Sequence, residues 1–231
     1  AFTSGTTGDQ KGCVHTHWDL LAISDAYSTS ILKATPQDVF SGSPSIGFTY
    51  GLGMLLVFPL RVGASVAFAP KPIPRLLLEA IQRYHVSIFC STPAMYATLL
   101  EHLQQADVSS LRMCISAGDK LPLRTFEGWE QATGIQLLDG IGATEMLHIF
   151  ISPEETAIRP GSTGKPVPGY EAKVIDRNGR TLPPGEIGYL AVRGITGCRY
   201  LDDQMRQQQY VRDNWNVTGD LYHVDTDGYF W

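Results

Sequence analysis

A short segment near the start of the chain has the composition of a phosphate-binding loop. Residues 2–12 read F-T-S-G-T-T-G-D-Q-K-G, with three glycines, four Ser or Thr hydroxyls and one lysine. Glycine permits backbone angles that let successive N–H groups point into one concavity. The hydroxyls add hydrogen-bond donors, and Lys11 adds a mobile positive charge. These residue types predict a site for the phosphate groups of a ligand.

The spacing within this loop differs from that of a Walker P-loop. A Walker P-loop has four residues between its glycines and a Lys-Ser or Lys-Thr pair directly after the second glycine. Here two residues separate Gly5 from Gly8, and Lys11 stands three positions beyond Gly8 and is followed by Gly12. The residues alone leave two interpretations, a phosphate loop of another kind or a flexible turn.

Two motifs that carry carboxylates lie farther along the chain. Residues 139–145 read D-G-I-G-A-T-E, in which the glycines admit a planar ring and Glu145 offers a hard oxygen ligand suited to Mg²⁺. Residues 218–220 read T-G-D, and a carboxylate such as Asp220 accepts two O–H hydrogen bonds side by side. Taken singly, each segment is more often an ordinary turn.

The elements that must position these residues alternate between strands and helices from residue 16 to residue 139, which predicts a parallel sheet with right-handed crossovers. The predicted strands are 39–42, 65–69, 87–91, 112–116 and 136–139. The predicted helices are 19–32 with Asp19 as its N-cap, 51–60, 74–84, 93–104 and 123–133. Pro74, Pro93 and Pro122 each stand at a predicted helix start, where the missing N–H costs nothing. Functional loops of such a sheet lie at the carboxyl ends of its strands.

Beyond residue 152 the pattern changes to short strands punctuated by Pro and Gly. Strands are predicted at 171–175 and 188–192, and the pairs Asn178-Gly179 and Asp227-Gly228 predict hairpin turns. The predicted fold class is therefore α/β. A parallel-sheet α/β subdomain over residues 1–152 is followed by a small antiparallel or barrel-like β subdomain over residues 153–231.

Composition narrows the classes of function. The chain has 231 residues and a formal net charge of −5, which predicts no binding to nucleic acid or to a membrane surface. No apolar run approaches the roughly 20 residues that a membrane-spanning helix needs. The four cysteines are far apart, which disfavours zinc and a disulfide framework. His15 and His17 are interpreted as the lead-in to a helix rather than as metal ligands. A cytoplasmic location is the default prediction.

The motifs together resemble those of the adenylate-forming superfamily, which includes acyl- and aryl-CoA ligases, peptide-synthetase adenylation domains and luciferases. Residues 2–12 resemble its F-T-S-G-T-T-G-x-x-K-G loop, residues 139–145 its Y-G-x-T-E motif, and residues 215–220 its Y-x-T-G-D motif. Residues 116–119, S-A-G-D, resemble its S-A-G-E/A strand end, and residues 185–200 its structural G-E-L…G…G-Y element, interpreted as scaffold. Gln10 stands where the family usually has Pro, and Ile141 where it usually has an aromatic residue.

The resemblance implies roles for individual residues. Lys11, Thr144 and Glu145 are the candidate catalytic residues: Lys11 closes over the β- and γ-phosphates, Thr144 contacts the α-phosphate, and Glu145 binds Mg²⁺. Asp139 meets the adenine, and Asp220 holds the ribose hydroxyls. The candidate ATP- and AMP-binding residues are Thr3, Ser4, Gly5, Thr6, Thr7, Gly8, Lys11, Gly118, Asp119, Asp139, Gly140, Ile141, Gly142, Thr144 and Asp220.

Two segments are similar to the benzoate- and 2-aminobenzoate-CoA ligase branch of that superfamily. They are residues 43–53, S-P-S-I-G-F-T-Y-G-L-G, and residues 142–151, G-A-T-E-M-L-H-I-F-I. The similarity implies a flat, mostly apolar slot for an aromatic ring. Its candidate residues are Phe48, Tyr50, Ala117, Met146 and His148, with His148 donating to the substrate carboxylate. Met146 and His148 are also compatible with ordinary core packing.

The resemblance implies ATP-dependent activation of an aromatic acid to aryl-AMP, followed by transfer to CoA with release of AMP and pyrophosphate. ATP, Mg²⁺ and CoA are the expected cofactors and co-substrates, the partners are small molecules, and a homodimer is compatible with this. The alternatives are a domain that loads an acid onto a carrier-protein thiol and a non-catalytic nucleotide-binding fragment. We also expect the chain to be a fragment of a large N-terminal domain, without its upstream half and without a small C-terminal domain.

Overall fold

The computed structural model describes residues 1–3 and 10–231 of the chain. Its strands are β1 (Phe2–Thr3), β2 (Lys11–Gly12), β3 (Val39–Gly42), β4 (Ser65–Val66), β5 (Ile88–Ser91), β6 (Met113–Ala117), β7 (Leu137–Gly142), β8 (Ile149–Ser152), β9 (Lys165–Pro166), β10 (Tyr170–Ile175), β11 (Gly188–Gly194), β12 (Val211–Arg212) and β13 (Trp215–Tyr222). Its α-helices are α1 (His17–Ile23), α2 (Thr49–Leu52), α3 (Phe58–Val62), α4 (Pro74–Tyr84), α5 (Pro93–Leu100), α6 (Leu123–Thr133) and α7 (Gln204–Tyr210). Two π-helical segments, Ser24–Thr29 and Gly53–Val57, and three 3₁₀ turns, Leu103–Gln105, Thr144–Met146 and Glu155–Ala157, complete the helical elements of these residues.

The larger sheet has seven strands in the order β4-β3-β5-β6-β7-β8-β9. The five strands from β4 to β7 are parallel, which confirms the predicted parallel sheet. β8 and β9 extend it with antiparallel pairing, a feature that the sequence analysis did not predict. β8 returns along β7, so the residues between these two strands lie at the carboxyl end of the parallel sheet.

Both faces of the parallel sheet are covered. β5 and β6 read I-F-C-S and M-C-I-S-A and are buried throughout, which is typical of parallel strands between two layers of helices. On one face, α4, α5 and α6 pack around Tyr96 and Trp129, whose rings meet edge-on with centroids 4.7 Å apart. On the other face, Tyr27 and Phe58 from the helical elements before and after β3 pack against the sheet.

Several predicted boundaries were wrong, most of all at the first helix. It begins at His17 with Thr16 as its N-cap, and Asp19 is instead the third residue of a capping box. The backbone N–H of Thr16 donates to the Asp19 carboxylate at 2.7 Å. The α-helix stops at Ile23 and continues as a π-helical segment, well before residue 32.

Other elements differ from the prediction in smaller ways. The predicted helix 51–60 begins earlier, at Thr49, and is interrupted by a π-helical segment. β4 is shorter than the predicted strand 65–69, and α5 ends at Leu100 rather than at residue 104. Helices α4 and α6 keep their predicted bounds, because Pro74 begins one and Gly134, in the left-handed conformation, ends the other.

The second sheet is antiparallel and has four strands in the order β10-β11-β13-β12. The predicted β-rich second half is therefore confirmed. Gly179, at φ 83°, forms the predicted turn after β10, and Gly228, also at φ 83°, forms the turn near the end of the chain. Among the described residues, no helix combines the length and the apolar composition that crossing a bilayer requires.

Candidate active site

Two adjoining cavities open at the carboxyl ends of β6 and β7. The first cavity has a volume of about 410 Å³, and the second cavity has a volume of about 430 Å³. Both are lined by Gly118, which follows β6, and by Gly142, which ends β7. A Cβ atom at Gly142 would lie 2.8 Å from the carbonyl oxygen of His148, so only glycine fits between the two cavities.

The first cavity brings together most of the residues predicted to hold the acid and the phosphates. It is lined by Thr3, Lys11, Phe48, Thr49, Tyr50, Ala117, Gly118, Gly142, Ala143, Thr144, Glu145, His148 and Ile149. Met146 does not line it, because that side chain is fully buried in the core on the sheet face of Tyr27. Ser4, Gly5, Thr6, Thr7 and Gly8 lie outside the described residues.

The inner wall of the first cavity is the imidazole ring of His148, packed among three aromatic side chains. Its ring centroid lies 5.2 Å from that of Tyr27, 6.1 Å from that of Tyr50 and 4.6 Å from that of Phe58. A Cβ atom at Gly53 would overlap the ring, so this glycine makes room for it. The backbone path of the π-helical segment that begins at Gly53 therefore sets where the imidazole lies.

His148 is polar yet has no hydrogen-bond partner among the described residues, at either ring nitrogen. Burial lowers the pKa of His148 to about 3, with the nearby Tyr50 backbone acting weakly in the opposite direction. The ring is therefore neutral at physiological pH and offers one donor and one acceptor. Its unpartnered nitrogens can serve a polar group of a bound ligand.

Aromatic side chains of the segment around α2 form another wall of this cavity. Phe48 precedes α2 and is 58% exposed, which places it at the rim. Tyr50 lies deeper, and its hydroxyl donates to the carbonyl oxygen of Ile115 at 3.0 Å. This bond ties α2 to the carboxyl-end half of β6, on which Ala117 faces the cavity.

The 3₁₀ turn after β7 carries Thr144 and Glu145, and two distant residues hold it. Nε2 of His15 donates to the carbonyl oxygen of Thr144 at 2.7 Å. The hydroxyl of Tyr200 donates to Oε1 of Glu145, also at 2.7 Å. Burial lowers the pKa of His15, which favours the neutral ring as the donor. The sequence analysis missed both contacts, because it interpreted His15 as a helix lead-in and Tyr200 as scaffold.

The oxygen atoms around Glu145 suit a magnesium ion that takes few ligands from the protein. Oε2 of Glu145 makes no hydrogen bond within the described part of the chain, and Thr3 Oγ1 is buried there without a partner. Among all the described residues, no group of three or more His, Cys, Asp or Glu side chains is placed to hold a metal ion. Mg²⁺ commonly binds through one or two carboxylates, with waters and phosphate oxygens completing its shell. The residues present fit a Mg²⁺ ion of that kind, with Glu145 as its carboxylate ligand.

The second cavity brings together the residues predicted to hold the nucleoside. It is lined by Gly118, Asp119, Lys120, Asp139, Gly140, Ile141, Gly142, Gly161, Thr163, Asp220, Leu221, Tyr222 and Trp231. Asp220 stands on β13 with an exposed carboxylate that has no hydrogen-bond partner in the described part of the protein. Lys120, Tyr222 and Trp231 also face this cavity, although no motif pointed to them.

Asp139 is a partly buried acid of the second cavity. Its Oδ1 atom is buried and unpartnered among the described residues. Burial raises the pKa of Asp139 to about 7, opposed by the Gly140 backbone N–H and by the charge of Lys120. A carboxyl group close to half protonation at neutral pH is able either to donate or to accept a hydrogen bond.

Comparison with known proteins agrees with this geometry. Residues 1–199 match the family of AMP-binding enzymes, and the chain belongs to that family. It is 37% identical over 234 residues to the benzoate–CoA ligase of Thauera aromatica, a match covering 99% of this chain and 44% of that protein. It is 36% identical over 230 residues to the anthranilate–CoA ligase of Pseudomonas aeruginosa, covering 98% of this chain and 44% of that protein. The predicted family is thereby confirmed.

Solved structures show the same likeness. The anthranilate CoA ligase AuaEII, determined in complex with anthranoyl-AMP, superposes on this chain with a TM-score of 0.94 and 41% sequence identity. The match covers 100% of this chain and 45% of that one. The chain therefore spans less than half the length of the relatives that it matches, and its fold is that of one part of such enzymes.

Proposed function

We propose that this chain forms the nucleotide- and acid-binding core of an AMP-forming aryl-CoA ligase. The observation that carries the proposal is the junction of the two cavities at Gly118 and Gly142, beside the turn that holds Thr144 and Glu145. An acyl adenylate is an acid joined through a phosphate to a nucleoside. It therefore needs two adjoining compartments with phosphate-binding groups where they meet.

The first cavity supports an aromatic acid such as benzoate or 2-aminobenzoate. Tyr50, Ala117 and Ile149 supply apolar surface, and the neutral imidazole of His148 supplies hydrogen-bonding atoms at the inner wall. A mostly apolar slot with few polar atoms suits a flat ring that carries one carboxylate. In this arrangement His148 donates to the substrate carboxylate or to a ring substituent.

The second cavity supports the nucleoside of ATP. The adenine would lie along β7, where Gly140 and Gly142 line the cavity, with Ile141 beside it and the partly buried Asp139 at its polar edge. The exposed carboxylate of Asp220 accepts the two ribose hydroxyls.

Two displacement steps make up the proposed reaction. First, a carboxylate oxygen of the acid attacks the α-phosphorus of ATP, the bond to the bridging oxygen breaks, and pyrophosphate leaves. Lys11 and Thr144 stabilise the charge on the phosphoryl oxygens. A Mg²⁺ ion bound to Glu145 would add charge neutralisation at those oxygens. Second, the thiolate of CoA attacks the acyl carbon, and AMP leaves as the aryl thioester forms.

The experiment that tests the proposal uses the full-length protein that contains this chain. Pyrophosphate release is measured with benzoate, 2-aminobenzoate, 3-hydroxybenzoate, acetate, a long-chain fatty acid and phenylalanine. We expect kcat/KM to be highest for one of the aromatic acids, because the ring fills the first cavity. A preference for the fatty acid or for phenylalanine would contradict the aryl assignment.

A second arm of the experiment identifies the acceptor. AMP release is measured with and without CoA in the presence of the preferred acid. A CoA ligase releases AMP in proportion to the CoA thioester formed. If CoA leaves AMP release unchanged while pyrophosphate is still produced, the protein transfers its acyl group to another thiol, such as that of a carrier protein.

A further inference from the structure

Tyr200 contacts the carboxylate on which the proposed magnesium site depends. Its hydroxyl donates to Oε1 of Glu145 at 2.7 Å, and its side chain is buried, with 8% of the residue exposed. Within the described residues, Glu145 makes this one side-chain hydrogen bond. One carboxylate oxygen is therefore occupied by a neutral donor, and Oε2 is left for another ligand.

The position of Tyr200 is itself held by helix α7. The backbone N–H of Tyr200 donates to Oε1 of Gln207 at 2.7 Å, and Nε2 of Gln207 donates to the carbonyl oxygen of Cys198 at 2.9 Å. The ring of Tyr210, at the end of α7, meets the ring of Tyr200 edge-on with centroids 5.7 Å apart. The tyrosine hydroxyl is thus presented by a chain segment with little freedom to move.

The same segment is joined to the residues that follow Lys11. The backbone N–H of Leu201 donates to the carbonyl oxygen of Gly12 at 2.8 Å, and that of Val14 donates to the carbonyl oxygen of Arg199 at 2.8 Å. Tyr200 therefore lies where the strand that carries Lys11 and the turn that carries Glu145 approach each other.

We propose that Tyr200 is a positioning residue that orients Glu145 for Mg²⁺, an inference that rests on the proposed function. Glu145 lies on a short 3₁₀ turn and is only partly buried, so its side chain would otherwise sample several rotamers. The hydrogen bond to Oε1 selects one of them and directs Oε2 toward the first cavity. Hydrogen bonds to charged groups contribute enough that losing one weakens a dependent equilibrium by about tenfold to a hundredfold.

The test compares variants of two neighbouring tyrosines, of which Tyr200 hydrogen-bonds to Glu145 and Tyr210 does not. Tyr200→Phe removes the hydroxyl bonded to Glu145. Tyr210→Phe removes a hydroxyl that is buried without a hydrogen-bond partner in the described part of the chain, from the neighbouring ring. Both changes keep the ring and its packing, and circular dichroism checks that both variants of the full-length protein fold.

The readout is the affinity for ATP by isothermal titration calorimetry, in Mg²⁺ and in EDTA. In Tyr200→Phe we expect the gain in affinity that Mg²⁺ produces to fall by about tenfold, with the affinity in EDTA unchanged. In Tyr210→Phe the gain should be unchanged. In Glu145→Gln the gain should be lost, and adding Tyr200→Phe to that variant should have no further effect, because the hydroxyl acts only through the carboxylate.

The outcomes separate this inference from the proposed function. A gain that survives Glu145→Gln would remove Glu145 from the metal site and overturn the role of Tyr200 with it, while the aryl-CoA ligase proposal stands or falls on the acid panel. A gain lost in Glu145→Gln but kept in Tyr200→Phe would overturn the role of Tyr200 alone. An equal loss of affinity with and without Mg²⁺ in Tyr200→Phe would assign Tyr200 to packing, which also contradicts the inference.

Discussion

At the scale of single residues, burial shifts the pKa values of two titratable groups of the joined cavities toward their neutral forms. The pKa of His148 falls to about 3 and that of Asp139 rises to about 7, each because burial disfavours its charged form. Lys11, Glu145 and Asp220, which we expect to meet phosphate and ribose, are at least partly exposed. An interior of reduced charge, with charged groups at its more exposed positions, suits a ligand whose two ends are flat rings and whose middle is charged.

The raised pKa of Asp139 predicts how stability depends on pH. Between the ordinary pKa of 3.8 and the folded value of about 7, the native state binds more protons than the unfolded state. The free energy of unfolding therefore decreases as the pH rises through this range. Asp139→Asn cannot ionise, so at pH 8 it should be more stable than the wild type by on the order of 2–4 kcal/mol.

Urea unfolding of the wild type and of Asp139→Asn, at pH 8 and near pH 4, measures this effect. The advantage of Asp139→Asn should shrink toward zero near pH 4, where Asp139 is protonated in the native state. A difference in the free energy of unfolding that is the same at both pH values would show that the carboxyl group does not titrate in this way.

Asp220 is expected to act on the nucleotide alone. Asp220→Ala removes a charged acceptor, a loss of about 1.5–3 kcal/mol that corresponds to a rise in the KM for ATP of roughly tenfold to a hundredfold. The KM for the aromatic acid should change little, because Asp220 lines the second cavity and not the first. Steady-state kinetics of the full-length protein measure both constants.

A matched control for this prediction is Glu186→Ala. Glu186 is an exposed carboxylate in the same β-rich half, and it lines neither cavity. Its removal should leave both KM values unchanged. If Asp220→Ala raised the two KM values equally, Asp220 would act through the structure rather than through the ribose.

At the scale of elements, the carboxyl ends and the amino ends of the parallel strands have different roles. The carboxyl ends of the strands carry the cavities, whereas their amino ends carry an ion pair between the buried Asp38 and the more exposed Arg112. Arg112, just before β6, donates to both carboxylate oxygens of Asp38, just before β3, at 2.8 Å each. Ser87, just before β5, donates to the same carboxylate at 2.7 Å. The starts of three neighbouring strands are therefore held together far from the site.

This arrangement predicts a loss of stability without a loss of binding. Arg112→Met leaves Asp38, which is 5% exposed, with its hydrogen bonds from Ser87 and Thr35 but without its ionic partner. We expect it to lower the free energy of unfolding by about 1.5–3 kcal/mol, the contribution of hydrogen bonds to a charged group. Arg61→Met breaks the ion pair with Asp25, which is also bidentate but exposed, and should lower the free energy of unfolding much less than Arg112→Met does.

Urea unfolding compares the two variants directly, and the KM for ATP should equal that of the wild type in both. Similar losses of stability in the two variants would mean that burial of Asp38 does not set the effect. A raised KM for ATP in Arg112→Met would show that the ion pair at the amino ends of the strands influences the site.

At the scale of the whole molecule, the described fold leaves large apolar side chains in solvent. Trp18 and Leu60 are each 72% exposed, and Phe2 and Phe68 are also exposed. The relatives have more than half of their length outside the region matched by this chain. Exposed apolar side chains in such number are typical of surfaces that pack against other parts of a protein.

We therefore expect residues 1–231, expressed alone, to self-associate and to turn over benzoate, ATP and CoA far more slowly than the full-length protein. Size-exclusion chromatography with light scattering measures the association, and Leu60→Lys should reduce it by placing a charge on helix α3. A monodisperse monomer that forms the CoA ester at the rate of the full-length protein would contradict this prediction.

The sequence by itself was sufficient for features that depend on neighbouring residues. The bounds of α4 and α6 follow from a proline at one start and a glycine at one end, and the parallel sheet follows from the alternation of strands and helices. The sequence-based prediction was wrong at α1. Two acceptable N-caps, Thr16 and Asp19, lie close together there, and the helix forms with Thr16 as its N-cap in a capping box. The prediction also did not foresee the π-helical segment that places Gly53 against the ring of His148.

Local motifs thus indicated which residues carry the candidate chemistry, because the spacing of glycines, hydroxyls and carboxylates within one segment is visible in the sequence without the fold. Only the tertiary structure decided what those residues contact. Tyr200 lies 55 positions from Glu145, and His15 lies 129 positions from Thr144. Contacts of this kind arise when packing of the two sheets brings distant segments together, and no local pattern records them. For the same reason only the fold could place Met146 in the core and His148 at the cavity, since they are two positions apart on one chain and face different surroundings.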